Sequence, residues 1–411
     1  MRTLEKAQAE IVLGRFDQAR RTIADYIQSG LRGYDLVELA TLLNRITDDR
    51  ELLEITGRLA LDVGDEFAAA MAQGVLAESA GDPERALDRW ATARAANPGH
   101  PDPLLCMGRT LFGLGRIESA LALFRVTARS PVDAPDSAWN AALCQSLLNR
   151  PEPAGEMRIQ IFAAYHKPYA LPGLPLFVPI QVGRARAATR FDMIGDDRGD
   201  NISHRNDVYC ELTAQYWAWK NRPDLTHVGF CHYRRYPWFW LEHAFPYKFS
   251  VPYANYSVPR RLASLYRHCL DEPLAMSLIA GHDVLVPRPT RLAGTVREQW
   301  AEHHPPEMLN ALERLIALRS AEDGRAAQAF FEDRLLTPFN MMIMRDAVFR
   351  EWAEWLFDLL FAFEDVHVGL RGAPMPPRMA GYMGERLLGI FLRRKREQGL
   401  RILEIPMVSL M

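Results

Sequence analysis

The first third of the chain repeats itself with a period of about 34 residues. The two clearest units begin with a glycine and carry an alanine and then an aromatic residue at matching positions. These residues are Gly81, Ala86 and Trp90 in one unit and Gly115, Ala120 and Phe124 in the next. A repeat of this length indicates helix pairs. Because one pair cannot bury its apolar face alone, neighbouring pairs must stack.

The repeat resembles the tetratricopeptide repeat, which has a glycine turn, a small residue where two helices cross and a proline stop. Further markers of the pattern lie at Pro98, Pro131, Gly14–Ala19, around 47–53 and at Asn149–Ala154. The resemblance implies an all-α, tetratricopeptide-like solenoid over residues 1–153. Such a solenoid either presents a concave surface to a protein partner or a second copy of the chain, or it is a structural platform for the domain that follows.

The composition of the chain argues against several classes of function. The chain has 49 Lys and Arg residues against 51 Asp and Glu residues, so no basic field indicates a nucleic-acid partner. Its five cysteines form no CxxC pair, which is typical of reduced packing residues in a cytosolic protein rather than of a zinc site. The N-terminus lacks an apolar signal-peptide core, and no uncharged run reaches the ~20 residues that span a bilayer. We therefore expect a cytoplasmic protein with at most peripheral membrane contact.

Residues 154–411 have the alternating pattern of an α/β domain. Strands are predicted over 158–164, 177–183, 226–231, 282–287, 339–344 and 400–408. Helices are predicted over 204–221, 295–303, 307–320, 346–363 and 379–398. Ligands bind at the carboxyl ends of the strands in open sheets of this class, so polar residues that follow a predicted strand are candidates for a site.

The stretch from Gly195 to Tyr236 is unusually dense in acids, amides and aromatics. Ser203 is predicted to cap one continuous helix over 204–221. On such a helix Asp207 and Glu211 are four residues apart and share a face. They are either solvated acids or a carboxylate pair facing a cleft, where they would orient sugar hydroxyls or accept a proton.

Paired arginines follow the strand predicted over 226–231, in the sequence His232–Tyr236. Arg234 and Arg235 could hold a pyrophosphate, since a guanidinium offers several donors and keeps its charge, or they could form surface ion pairs. If the chain stays extended, His232 and Arg234 point one way and Arg235 the other, so that one arginine suffices. The aromatic segment after them, up to Tyr256, suits a sugar-stacking wall, a lid, a membrane contact or a packed loop.

Two other features of the sequence are candidates for a cation site and for a catalytic base. An acidic turn before the central helix would bind a divalent cation through hard oxygen ligands, or it is simply a turn. Its residues are Asp196, Asp197, Asp200 and Asn201. Glu385 lies on the last predicted helix between Gly381 and Gly389, and such glycines indicate a close approach by substrate or by another helix. With substrate there, Glu385 would be a general base that nearby arginines tune.

Eight motifs occur in a fixed order through this domain and together resemble one protein family. They are His166–Tyr169, Val178–Gly183, Gly199–Ser203, Tyr209–Thr213, Tyr216–Asn221, His232–Tyr236, Asn340–Met344 and Gly381–Arg386. The domain looks like a bacterial family of capsule, exopolysaccharide and lipopolysaccharide biosynthesis glycosyltransferases that long carried only the label of a domain of unknown function. The resemblance spans residues 158–411 and implies a GT-A-like, Rossmann-like fold.

The resemblance also implies roles for the candidate residues. His166 and Lys167 would lie by the nucleotide. Arg234 and Arg235, with His232, would bind the diphosphate, while Asp200, Asn201 and Glu211 would line the sugar site. Glu385 is the first candidate for the base that activates the acceptor, and Asp207 is the second.

GT-A folds usually carry an Asp-x-Asp motif for a metal, and here the motif His232–Tyr236 takes its place. Dependence on Mg²⁺ or Mn²⁺ therefore stays open, with Asp196 and Asp197 as candidate ligands, because arginines can neutralise a leaving diphosphate as a metal does.

The expected function is transfer of a hexose from a nucleoside diphosphate donor to a growing surface glycan, at the inner face of the bacterial inner membrane. Two alternatives stay open at this point. One is a non-catalytic assembly or regulatory protein of polysaccharide biosynthesis. The other is a glycoside hydrolase that uses a carboxylate pair.

Overall fold

The computed structural model of the protein divides into two compact units. It describes residues 6, 10, 16–30, 54, 58, 61–62, 64–129, 134–149, 155–169, 171, 173–241 and 272–409. The first unit holds the residues up to Asn149 together with Trp240 and Leu241, and the second holds 155–239 and 272–409. Several predictions lie wholly outside the described residues: the weak repeat around 47–53, Pro131, the boundary at 153/154 and the aromatic segment beyond Leu241. The repeat markers Gly14–Ala19 and Asn149–Ala154 lie partly outside them.

In the described residues of the first unit, the regular secondary structure is helical. Its helices are α1 (Phe16–Gln28), α2 (Glu66–Ser79), α3 (Pro83–Ala96), α4 (Asp102–Gly113), α5 (Ile117–Thr127) and α6 (Ala134–Leu148). Helix α3 shows why the chain turns where the repeat predicts. Asp82 accepts a hydrogen bond from the Arg85 amide at 3.1 Å, and Pro83 occupies the first turn, where its missing N–H costs nothing. An all-α N-terminal region is thus present, and its identity as tetratricopeptide repeats stays a prediction.

A close contact between helices recurs at the period of the sequence repeat. A Cβ added to Gly74 on α2 would lie 2.5 Å from the Trp90 ring on α3. The same contact joins Gly108 on α4 to Phe124 on α5, where the added Cβ would lie 2.7 Å from the ring. Both rings are fully buried. The aromatic residue of each repeat therefore packs on a glycine of the preceding helix, which only glycine permits.

Gly108→Ala should therefore destabilise the helical unit by ~1–3 kcal/mol, because the added methyl group overpacks a ring that cannot move away. Gly113→Ala, on the same helix, is the matched control because nothing lies within 4 Å of its Cβ position. It should stabilise the unit by about 0.5–1 kcal/mol, as alanine is the better helix former. Urea unfolding of the two variants measures both shifts, and equal stability of the two would contradict this account of the packing.

The described residues of the second unit form a nine-stranded mixed sheet. The strands of this unit are β1 (Ile159–Tyr165), β2 (Phe177–Gln181), β3 (Ile194–Gly195), β4 (His227–His232), β5 (Arg235–Pro237), β6 (Val284–Pro287), β7 (Thr290–Arg291), β8 (Leu335–Leu336), β9 (Met342–Arg345), β10 (Ile402–Ile405) and β11 (Met407–Ser409). The main order is β10-β6-β9-β4-β1-β2-β3, while β5 joins β4 and β11, and β7 pairs with β8 separately. The mixed α/β class expected for this part of the chain is present.

Helices cover this sheet. They are α7 (Asn206–Tyr209), α8 (Leu212–Asn221), α9 (Glu272–Gly281), α10 (Val296–His303), α11 (Pro306–Arg319), α12 (Ala321–Phe331), α13 (Asp346–Arg371) and α14 (Met379–Glu397). Helix α13 runs eight residues further than predicted, and its aromatic face is core as expected, with Trp352 and Phe357 buried. Helices α9 and α12 were not predicted, although Ser320 caps α12 by accepting from the Asp323 amide at 3.2 Å.

The prediction of one continuous helix over 204–221 is wrong. A 3₁₀ turn at Ser203–Arg205 leads into α7, and the chain breaks at Cys210, whose φ is 50°, before α8 begins. Ser203 does not cap a helix, because its hydroxyl donates to Asp196 Oδ1 at 2.5 Å and accepts from the Ala185 amide at 3.0 Å. The break also means that Asp207 and Glu211 do not share a helical face.

The sheet brings two distant segments together at one edge. Strands β1 and β4 are parallel, so Tyr165 and His232 end at the same edge. Strand β9 runs antiparallel to β4, with Met342 opposite Phe230, so β9 begins where β4 ends. The residues just before β9 therefore lie beside the residues just after β4, and the candidate site is built there.

Candidate active site

A tight hairpin follows β4 and sets the positions of the two arginines. His232 pairs with Arg235 across β4 and β5, and Tyr233 with Arg234 makes the turn. The chain therefore does not stay extended after His232: directly opposed residues of an antiparallel pair share a face, so Arg235 lies on the side of His232. The Arg235 guanidinium is 4.2 Å from the centre of the Phe339 ring, and His232 Nε2 is 3.1 Å from the Phe339 carbonyl oxygen.

Basic and aromatic side chains from the loops after β1 and β4 gather around the buried ring of Tyr233. The rings of His166 and Tyr169 lie 5.0 and 5.5 Å from it, and the Lys167 ammonium and Arg234 guanidinium lie 5.8 and 5.1 Å from its centre. Burial lowers the pKa of His166, and four basic groups lower it further: Lys167, His232, Arg234 and Arg378. Several basic groups therefore lie together at this edge of the sheet, as an anion site requires.

Glu385 lies on the first turns of α14 and reaches the segment before β9. Its Oε1 accepts from the Phe339 amide at 2.9 Å, and its Oε2 accepts from Arg386 Nη1 at 2.9 Å. Burial raises the pKa of this carboxyl, while Arg386 and the Phe339 amide lower it. The charge of Glu211 raises the same pKa and that of Arg235 lowers it, so both carboxylates and Arg235 act in one electrostatic environment.

Glu211 lies in the connection between α7 and α8 and points to the same segment. Its Oε1 accepts from Asn340 Nδ2 at 2.7 Å and lies 3.9 Å from His232 Nε2. The side chain is 20% exposed, close to the 18% of Glu385. Both carboxylates can therefore meet a ligand while remaining largely shielded from water.

Strained backbone is concentrated around this pocket. Within the described residues, four non-glycine residues have a positive φ: Cys210, Phe339, Asn340 and Arg378. Phe339 and Asn340 hold Glu385 and Glu211, Cys210 precedes Glu211, and the Arg378 amide donates to the Asp207 carbonyl oxygen at 2.7 Å. Such residues cost of order 1–3 kcal/mol each and cluster at functional sites, where the surrounding structure holds them.

Two glycines of α14 allow this helix to approach Asn340 and Cys210 closely. A Cβ on Gly384 would lie 2.9 Å from Asn340 Oδ1, and a Cβ on Gly381 would lie 3.3 Å from Cys210 Sγ. Gly389 instead faces the ring of Phe330 on α12. Of the two explanations offered for the glycines beside Glu385, contact with another helix therefore holds at Gly389.

Three of the predicted residues lie apart from this group. Asp207 is 78% exposed and lies 3.4 Å from Arg186 Nη1. Asp200 accepts from the Tyr216 hydroxyl at 3.2 Å, and Asn201 closes its own turn by bonding to the Gly199 carbonyl and the Ser203 amide. Among the described contacts, none joins these three residues to Glu211, Arg235 or Glu385.

The acidic turn has a structural use for Asp196. This fully buried carboxylate accepts from the Gly183 and Arg184 amides at 2.9 and 3.1 Å, and also from Ser203. Its oxygens hold the loop rather than face an open cation site, and Asp197 Oδ2 lies 3.8 Å from Arg190. In the described parts of the chain, no group of three or more His, Cys, Asp or Glu side chains could hold a metal ion.

Sequence reasoning missed Phe339 and Asn340 as parts of the candidate site. Asn340 opened one of the family-like motifs but was assigned only to a strand. Its partner Glu211 is 129 residues away along the chain, and no local pattern indicates such a contact.

Among the described helices, none combines the length and apolarity needed to cross a membrane.

Comparisons with known proteins point in one direction. Residues 160–396 match the model of a family described as "Domain of unknown function (DUF4422)". The apo structure of the WbbM bifunctional glycosyltransferase is similar, with a TM-score of 0.54 and 27% sequence identity. The match covers 62% of this chain and 45% of that chain, so it accounts for less than half of that protein's length. No curated protein matches.

Proposed function

The chain belongs to the DUF4422 family, and on that premise we propose that its α/β unit is a glycosyltransferase that uses a nucleoside diphosphate sugar as donor. The proposal rests on Arg235, which opposes His232 at the carboxyl end of β4, and on two partly buried carboxylates near them. Glu211 lies 3.9 Å from His232, and Glu385 accepts from the amide of Phe339, whose ring Arg235 contacts. The similarity to a glycosyltransferase at 27% identity supports it. A cation in the same pocket as two acids suits a reaction in which a diphosphate departs while a hydroxyl loses its proton.

The basic residues form the donor side of the proposed site. Arg235 neutralises the charge that develops on the departing diphosphate, since donors aimed at that charge stabilise the transition state. Arg234 and His232 complete the anion site, while His166 and Lys167 lie by the nucleotide.

The acids form the acceptor side. Glu385 accepts the proton of the acceptor hydroxyl, the hydroxyl oxygen bonds to C1 of the donor sugar, and the bond from C1 to the diphosphate breaks. One carboxylate base is enough for such an inverting transfer. Glu211 accepts a hydrogen bond from a sugar hydroxyl. Asp200 and Asn201 are secondary candidates for sugar contacts, and Asp207 is the second candidate for the base.

We further propose that the sugar is a hexose and that the acceptor is a growing bacterial surface glycan of the capsule, exopolysaccharide or lipopolysaccharide type. Transfer would then occur in the cytoplasm, at the inner face of the inner membrane. The helical unit would hold a protein partner or a second copy of the chain. The family-like motifs support these assignments.

The test offers the purified chain a panel of nucleotide sugars, with EDTA or with added Mg²⁺ or Mn²⁺, and measures release of nucleoside diphosphate. Consumption of at least one donor is expected. Absence of both turnover and nucleoside diphosphate binding across a broad panel would favour a non-catalytic assembly protein. Cleavage of soluble oligosaccharides without any activated donor would indicate a hydrolase instead.

A further inference from the structure

A buried line of hydrogen bonds runs from helix α13 to Glu211. Trp352 Nε1 donates to Gln215 Oε1 at 3.1 Å, and Gln215 Nε2 donates to the Asn340 carbonyl oxygen at 3.0 Å. Asn340 Nδ2 then donates to Glu211 Oε1 at 2.7 Å and to the Gly381 carbonyl oxygen at 2.9 Å. Gln215 and Asn340 are 0% and 1% exposed, so water does not compete for these bonds.

The Asn340 side chain has no freedom to turn away. Its backbone φ is 49°, a left-handed value that asparagine tolerates better than most residues. Both hydrogens of its amide nitrogen are used, which fixes the orientation of the amide group. Its Oδ1 faces Gly384, where even a Cβ would come within 2.9 Å. The Asn340 side chain is therefore held by its hydrogen bonds to Glu211 and Gly381 and by the close packing at Gly384.

The Glu211 carboxylate lies among groups of both charge signs, and the hydrogen bond from Asn340 orients it among them. A carboxylate that accepts a hydrogen bond in a shielded site is both oriented and stabilised in its ionised form. The groups that face it from α14, the β4–β5 hairpin and its own connection are His232, Arg235, Arg378, Cys210 and Glu385. Among the described contacts, the hydrogen bond to the Glu211 carboxylate comes from Asn340 Nδ2, at 2.7 Å.

We propose that Asn340, held by Gln215, is the positioning residue for Glu211: it aims this carboxylate at the donor sugar. The inference rests on the proposed function, in which Glu211 accepts a hydrogen bond from a sugar hydroxyl. It assigns Asn340 no contact with substrate. Its consequence is that a change at Asn340 alters how Glu211 titrates, and not only how stable the protein is.

Two substitutions separate positioning from a merely structural role. Asn340→Asp keeps the shape but places a second carboxylate against Glu211, so the two must share a proton. Asn340→Gly keeps the left-handed backbone and removes the donor without adding charge. We expect each to lower kcat/KM for the donor by about tenfold or more, as expected for loss of a hydrogen bond to a charged group. Only Asn340→Asp should move the acidic limb of the pH profile to higher pH.

The measurements are donor turnover against pH and a ¹³C NMR titration of the Glu211 carboxyl, assigned with Glu211→Gln, on the full chain. Asn310→Asp on α11 adds the same charge elsewhere and should change neither. Both Asn340 variants turning over donor with the wild-type pH profile, or an unmoved Glu211 titration in Asn340→Asp, would overturn the positioning role alone. A wild-type chain that neither binds nor consumes any donor overturns the proposed function and this inference with it.

Discussion

Glu385→Gln should lower the rate of sugar transfer by ~10³-fold, because general base catalysis typically contributes 10²–10⁴-fold and glutamine cannot accept the proton. Nucleoside diphosphate should still bind with nearly wild-type affinity, since the arginines that face it are unchanged. Glutamine keeps the acceptor oxygen that Phe339 needs, so the strained segment retains its hydrogen bond. Single-turnover transfer and calorimetric binding on the same preparation check the two halves of the prediction.

The matched control for this variant is Asp207→Asn, which makes the same chemical change at an exposed carboxylate paired with Arg186. It should change transfer by less than about twofold, the scale expected for an exposed ion pair. Full activity of Glu385→Gln together with loss of activity in Asp207→Asn would transfer the base assignment to Asp207. Melting curves are needed for both, because Arg386 is only 3% exposed and loses its anionic partner in Glu385→Gln.

The pH dependence of Glu385 has a definite sign. Burial raises its pKa above the ordinary 4.5 of a glutamate, so the folded state binds this proton more tightly than the unfolded state. Its contribution to stability is therefore greatest below pH 4.5 and declines as pH rises through the raised value. Transfer needs the ionised base, so the acidic limb of wild-type activity should also lie above pH 4.5.

Arg235→Ala should lower kcat/KM for the donor by ~10²–10³-fold, the usual cost of removing one donor aimed at developing charge. Arg235→Lys should recover only part of this loss, since an ammonium is a point charge without the planar fork of donors that a guanidinium offers. Nucleoside diphosphate affinity should fall in both variants, which calorimetry measures directly.

Arg345→Ala is the matched control for Arg235→Ala. Arg345 lies at the end of β9, on the opposite edge of the sheet, where it pairs with Asp283. Its removal should leave donor turnover within about twofold, because this half-exposed arginine lies away from the proposed site. Equal losses in the two variants would mean that the net charge of the unit, and not a guanidinium in the pocket, governs donor binding.

The sequence predicted which end of the strands the candidate residues share, but it did not predict the contacts between those residues. The apolar runs of β1 and β4 were enough to place His166, His232 and the arginines at one edge of the sheet, because parallel strands end together. The hairpin at Tyr233 was not predicted, since alternation along an extended chain was assumed there. Its effect is to turn Arg235 back beside His232.

The remaining differences arise from tertiary contacts that local sequence does not encode. Cys210 adopts a left-handed backbone that splits the predicted helix, and no helix-breaking residue announces it. Asp196 looks like any acid in a turn, yet it is fully buried because three donors converge on it. Asn340 meets Glu211 only because β9 runs antiparallel to β4.

The most direct test is the structure of the full chain with uridine diphosphate bound. We expect the diphosphate within hydrogen-bonding distance of Arg235. Glu211 and Glu385 should lie on the side where the sugar would continue, and the nucleoside should lie toward His166 and Lys167. A diphosphate bound at another edge of the sheet, with Arg235 left against Phe339 and no ligand near either carboxylate, would contradict this expectation.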